Sequence, residues 1–70
     1  MEEIVVKNRV KLARVEKDFT QQQLADLVGV TRQTVNAIEA NKYSPSLEVA
    51  FLIARALNVQ IGEIFGCEEL

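Results

Sequence analysis

A chain of 70 residues supports one small domain with a modest core, and its single cysteine excludes a disulfide within it. The apolar fraction of 49% suffices for a compact helical bundle. No apolar run approaches the ~20 residues that cross a membrane, and the start MEEIVVKN lacks a signal-peptide pattern, so a cytoplasmic location without membrane contact is expected. The net charge of −2 is unevenly divided. Residues 7–42 carry seven bases against four acids, +3, whereas residues 43–70 carry only Arg55 against four acids, −3. The positive field therefore belongs to the first half of the chain, although charged residues that merely solubilise helices would also produce it.

Ile4-Val5-Val6 is short, apolar and β-branched, and reads as a strand or as an early helical turn. Asn8 can cap a first helix that runs to about Lys17. A second helix, near 20–28, starts at Thr20, which forms a capping box with Gln23, while Phe19 and Leu24 can close a hydrophobic staple. Gly29 tolerates the left-handed backbone that follows a helix. Thr31 can then cap a third helix, near 31–40, with Val30 and Val35 as its staple. Two capped starts eleven residues apart, with a glycine between, predict a helix, a sharp bend and a second helix.

Asn41 to Ser46, NKYSPS, carries turn chemistry. A fourth helix, about 46–57, is expected to bury Leu47, Ala50, Phe51, Ala54 and Leu57, with Asn58 ending it. A fifth helix near 61–65 offers Ile61, Ile64 and Phe65, weakened by Gly62.

At ~100° per residue the third helix turns Thr31, Val35 and Ile38 inward. The opposite side centres on Gln33, Asn36 and Ala40, flanked by Arg32 and Ala37. Asn and Gln amides match adenine edges and Arg matches guanine, since each offers paired groups at the right separation in the major groove. The same pattern fits a solvated polar face. Arg14 falls on the inner side of helix one, four residues after Val10, and Glu39 borders Val35 and Ile38. The two are expected to pair, partly buried, and to lock helix one against helix three; the alternative is that both snorkel to solvent.

TQQQLADLVGVTRQTVNAIEANKYSPSLEVAFLIARALNV resembles the Cro/phage-repressor helix-turn-helix family, also called the xenobiotic-response-element (XRE) family, and within it small stand-alone bacterial regulators. The similarity runs from about Asn8 to Phe65, and its core motif is TQxxLAxxxGVTRQTVxxIE. The resemblance implies an all-α, five-helix Cro/repressor-like domain over residues 1–70, with room for a short terminal strand and with the helix-turn-helix at 20–40; residues 59–70 are left for dimerisation. It implies a sequence-specific transcriptional regulator of double-stranded DNA, expected to repress by occupying an operator, and the same Arg14–Glu39 pair. Gln21 matches a phosphate-contacting position. Thr31, Arg32, Gln33, Asn36 and Ala37 match positions that meet bases or adjacent backbone, and Asn41, Lys42 and Tyr43 match a loop that clamps the phosphate chain. Ala37 stands where other members carry a longer polar side chain, so one base contact is expected to be missing.

One recognition helix reads few base pairs, and dimers of this motif set two of them about 34 Å apart on an inverted repeat. The leftover apolar residues, Ile4, Val5, Val6, Ile61, Ile64, Phe65 and Leu70, suggest a homodimer joined through the C-terminal helix, with Val5, Ile61, Ile64 and Phe65 at the interface and terminal strands available to pair. Burial of some of these within the domain is the alternative.

No cofactor is expected. One cysteine and no histidine cannot build a zinc site within the chain, and Cys67 reads as incidental rather than as a redox switch. Enzymatic function is not expected either, because no phosphate-cradling glycine loop and no nucleophile with a base beside it is present. Without an effector domain, any signal is expected through a regulatory protein partner, proteolysis or concentration. A protein-interaction module on the same fold, such as an antitoxin, is the competing reading. The short remainder from Gly66 to Leu70 speaks against it.

Overall fold

The computed structural model of the protein describes residues 4–69. Five helices follow one strand and precede another: β1 (Ile4–Asn8), α1 (Val10–Glu16), α2 (Gln21–Val28), α3 (Arg32–Glu39), α4 (Leu47–Ala56), α5 (Ile61–Ile64) and β2 (Phe65–Glu69). Leu24, Ile38, Ile53, Leu57, Val10 and Val35 form the fully buried centre, so every helix from α1 to α4 contributes to it directly or through its C-cap. α2 packs on both α3 and α4, which fixes the angle between the two helices of the bend. Truncating a centre residue such as Leu24 to alanine would cost about 2–5 kcal/mol.

Helix starts follow the side-chain chemistry expected of them. Thr20 and Gln23 form the full capping box, Thr31 accepts from the Thr34 N–H, and Ser46 accepts from the Val49 N–H. Asn8 accepts from the Val10 N–H at 3.1 Å and so serves the first turn of α1 from just outside it.

Four of the five helix ends share one device; α5 instead runs into β2 through the extended Phe65. α1, α3 and α4 stop at Asp18, Asn41 and Asn58, whose φ angles of 59°, 59° and 56° are left-handed, and α2 stops at Gly29 with φ 84°. The next N–H reaches back across the last turn: Phe19 to the Arg14 carbonyl (3.1 Å), Val30 to Ala25 (3.1 Å), Lys42 to Ala37 (2.9 Å) and Val59 to Ala54 (3.0 Å). Phe19, Val30 and Val59 pack against the core immediately after these turns. Lys42 departs from that rule and is exposed.

Two expectations need correction. α4 is rotated from its expected phase: it buries Ala50, Ile53 and Ala54, followed by Leu57, while Leu47 is 71% and Phe51 54% exposed. The helix is apolar almost all round, LEVAFLIARA, so periodicity fits more than one face, and packing against α2 and α5 decides between them. The terminal strands pair within the chain, antiparallel, with Val6 opposite Cys67 and Asn8 opposite Phe65. GCEE at 66–69 has no strand pattern of its own; β1 and the turn of α5 bring it into register.

Candidate nucleic-acid interface

α3 is held from behind by charge as well as by apolar contact. Arg14 of α1 donates from Nε to Glu39 Oε2 at 2.7 Å and from Nη2 to Oε1 at 3.2 Å, a two-pronged bridge with side chains only 11% and 4% exposed. Its third nitrogen, Nη1, donates to the Phe19 carbonyl at 2.7 Å and secures the chain entering α2. The pair thus joins α1, α3 and the start of α2, and no buried polar side-chain atom among the described residues is left without a partner. Glu39 is the only carboxylate of α3, so its inward placement leaves the helix's outer face without negative charge.

That outer face presents Thr31, Arg32, Gln33 and Asn36, all exposed, with Ala37 half-buried beside them. Gln21, in the first turn of α2, lines a shallow concavity with Arg32, Gln33 and Asn36. Its Nε2 donates to Asn36 Oδ1 at 3.3 Å and to Glu39 Oε1 at 3.1 Å. Asn36 is therefore approached from behind through its oxygen, and its Nδ2 group has no partner among the described residues. A second lone pair on Oδ1 stays open as well, so the amide keeps the donor and acceptor that an adenine edge requires. Sequence reasoning gave Gln21 a phosphate contact and missed this supporting role. The i to i+15 spacing between two polar residues carries no periodic signal.

Asn41, Lys42 and Tyr43 follow α3 directly and are exposed, Tyr43 by 53%. The helix starts add to the same asymmetry. α2 and α3, like α1, have no acidic residue in their first turns, so the dipoles of α2 and α3 and the N–H groups that Thr20 and Thr31 do not cap are open to an anion, whereas Glu48 and Glu63 occupy the first turns of α4 and α5. Arg32, Lys42, uncommitted amides and two unopposed helix N-termini converge around α2, α3 and the following loop. This chemistry suits a polyanion with readable edges.

The expected interface between copies divides differently. Ile64 is 3% exposed and belongs to the chain's own core, so it offers no surface to a partner. Ile61 and Phe65 are half-buried against that core, and the side chain of Val5, like Leu70, lies outside the described part of the structure. The large apolar residues left open include Phe51 and Leu47 of α4, besides Leu12 and Val15 of α1 and Leu27 of α2, and Phe51 shares a shallow groove with Ile61, Arg55 and Glu63.

A bend of two capped helices whose second helix shows bases and amides outward defines a helix-turn-helix protein. The helix-turn-helix family model matches residues 10–64, and the chain belongs to this family, in its XRE-type branch. It is 47% identical over 64 residues to an uncharacterized HTH-type transcriptional regulator of Methanocaldococcus jannaschii, covering 91% of this chain and 97% of that one. It is 37% identical over 67 residues to the immunity repressor protein of Bacillus phage phi105, covering 96% of this chain and 46% of the repressor. Among solved structures it superimposes on the restriction-modification controller protein of Aeromonas hydrophila with a TM-score of 0.75 at 31% identity, over 79% of this chain and 83% of that one. The protein is a DNA-binding transcriptional regulator. Among the described residues no helix is long and apolar enough to cross a membrane.

Proposed function

We infer that the protein is a repressor that binds double-stranded operator DNA as a homodimer, with α3 in the major groove of each half of an inverted repeat. The observation that carries this reading is the inward bridge of Glu39 to Arg14, which leaves α3 an outer face of Arg32, Gln33 and Asn36 free of carboxylates. In this reading Arg32 and Gln33 read base edges, Asn36 assists with its amide held by Gln21, and Thr31 and Ala37 lie against the sugar-phosphate chain. Asn41, Lys42 and Tyr43 clamp the adjacent phosphates, joined by the N-terminus of α2 at Gln21. Repression by occupancy is supported by the likeness to the phage immunity repressor, about half of whose length this chain spans. The working compartment is the cytoplasm, where operator DNA lies.

A two-fold contact through Phe51 and Ile61 supplies the second reading head. Arg55 and Glu63 line the same groove with opposite charges, so the patch complements itself, as an isologous contact requires. Selection from a random DNA pool, followed by titration of the enriched duplex against a scrambled one, tests the whole reading. An inverted repeat is expected, and Gln33→Ala should lose about 1–3 kcal/mol of discrimination at one position in each half-site. Salt-sensitive binding with no enriched sequence would refute it.

A further inference from the structure

Behind the loop that follows α3 stands Asn8, the last residue of β1, with a part-buried side chain that uses both ends of its amide. Nδ2 donates to the Ile38 carbonyl at 2.7 Å and to Asn41 Oδ1 at 3.0 Å, while Oδ1 accepts from the Val10 N–H at 3.1 Å. The Ile38 carbonyl also receives the Asn41 N–H at 3.0 Å, so Asn8 grips the turn that ends the recognition helix. Its backbone is tied to the other end of the chain: Asn8 lies opposite Phe65 in the sheet, and the Arg9 N–H donates to the Ile64 carbonyl at 2.7 Å. One side chain therefore joins the terminal sheet, the first turn of α1 and the end of α3. The amide of Asn41 is engaged through its oxygen alone, which leaves Nδ2 without a partner among the described residues, the arrangement that Gln21 imposes on Asn36.

We propose that Asn8 is a positioning residue for DNA binding, which fixes the end of the recognition helix and turns the Asn41 amide so that its Nδ2 group is offered to a phosphate. The terminal sheet is thereby coupled to affinity for DNA. This inference rests on the reading of Asn41, Lys42 and Tyr43 as a phosphate clamp. A residue that only capped α1 would be replaceable by aspartate or serine, which accept from a helix N–H as well as asparagine does. Neither can do what Asn8 does at its other end. Aspartate sets a carboxylate against the oxygens of Ile38 and Asn41, and serine is too short to reach them.

The test uses the whole chain and two duplexes, the selected operator and a scrambled sequence. Asn8→Asp and Asn8→Ser are expected to retain helical circular dichroism and to bind both duplexes about tenfold more weakly, since a phosphate contact carries no sequence information. The serine variant separates lost positioning from added negative charge. Asn41→Gly keeps the left-handed turn while deleting the acceptor, and should weaken binding in the same way. In amide NMR spectra, the resonances of residues 41–43 should move in both Asn8 variants, a response that loss of an α1 cap would not produce. Binding by Asn8→Ser within twofold of the parent, or unmoved resonances at 41–43, would overturn the proposal. Unchanged binding by Lys42→Ala and Tyr43→Phe would instead remove the clamp reading, and the resonances would still decide whether Asn8 positions the loop.

Discussion

Removing the Glu39 carboxylate should destabilise the protein about as much as truncating a buried core residue of α3. In Glu39→Ala, Arg14 keeps its bond to the Phe19 carbonyl but loses the partners of Nε and Nη2, at 2.7 and 3.2 Å, and Gln21 loses the acceptor at 3.1 Å. The guanidinium remains in a site where the side chain is 11% exposed, too enclosed for water to replace the lost bonds fully. A buried bridge broken on one side costs about 3–5 kcal/mol, against a total stability of roughly 4–10 kcal/mol for a domain of this length. At about 4–8 °C per kcal/mol, the melting temperature should fall by more than ~12 °C. Urea titration followed by circular dichroism measures this, with the midpoint falling and the slope unchanged. Because the pair is enclosed, the loss should persist in 0.5 M salt, which would screen a surface pair. Arg14→Met combined with Glu39→Leu removes both charges and should recover much of the loss, since no ion is then stranded. A midpoint for Glu39→Ala equal to that of the parent would refute the reasoning.

Three further perturbations separate the parts of the molecule. Lys42→Ala should weaken binding to operator and scrambled DNA alike and reduce the slope of log K against log salt by about 0.9, one phosphate contact, in anisotropy titrations; an unchanged slope removes Lys42 from the phosphate chain. Phe51→Lys should leave the melting temperature within a few degrees, the parent ring being 54% exposed, while sedimentation at micromolar concentration shifts to monomer. A dimer persisting in that variant would move the contact elsewhere. Asn58→Ala forces a side chain with poor tolerance of φ 56° into the end of α4 and should cost about 1–2 kcal/mol in urea melts, with Asn58→Gly at or above parent stability.

The helix-turn-helix was legible because its information is local. Thr20 and Gln23, Thr31, Gly29 and the apolar spacing from Leu24 to Ile38 each state one step of the fold within a turn or two of chain, and the structure follows them. The Arg14–Glu39 bridge was legible for another reason: a charge at an inward position demands a partner, and each had one candidate. Where the chain was uniform, sequence reasoning failed. α4 is apolar on nearly every side, so nothing in its own residues distinguished Phe51 outward from Ile53 inward. Terminal strands were anticipated, but the pairing of β2 with β1 inside one chain was not legible, because it is imposed across the length of the chain. Asn8 read as the cap of α1; Arg9 takes the cap position and Asn8 serves the Val10 N–H from one residue outside it, while its bonds to Ile38 and Asn41 span 30 and 33 residues and leave no periodic trace.

How a chain of net charge −2 binds a polyanion is answered by where the charge is placed. On α3 the only carboxylate is turned inward and neutralised by Arg14, so the helix presents Arg32 without a counter-charge beside it. At the helix starts, anionic side chains are confined to α4 and α5, leaving those of α2 and α3 free to meet phosphate. At the helix ends, the apolar residue that follows each left-handed turn is replaced at α3 alone by Lys42, which gives up core contact for exposure. Within a Debye length of about 8–10 Å the DNA senses this local arrangement rather than the net charge. The acids of residues 43–70 oppose DNA mainly at low ionic strength, where the screening length grows to about 30 Å. At higher ionic strength, affinity for DNA then rests on the contacts that α3 and the loop after it make locally.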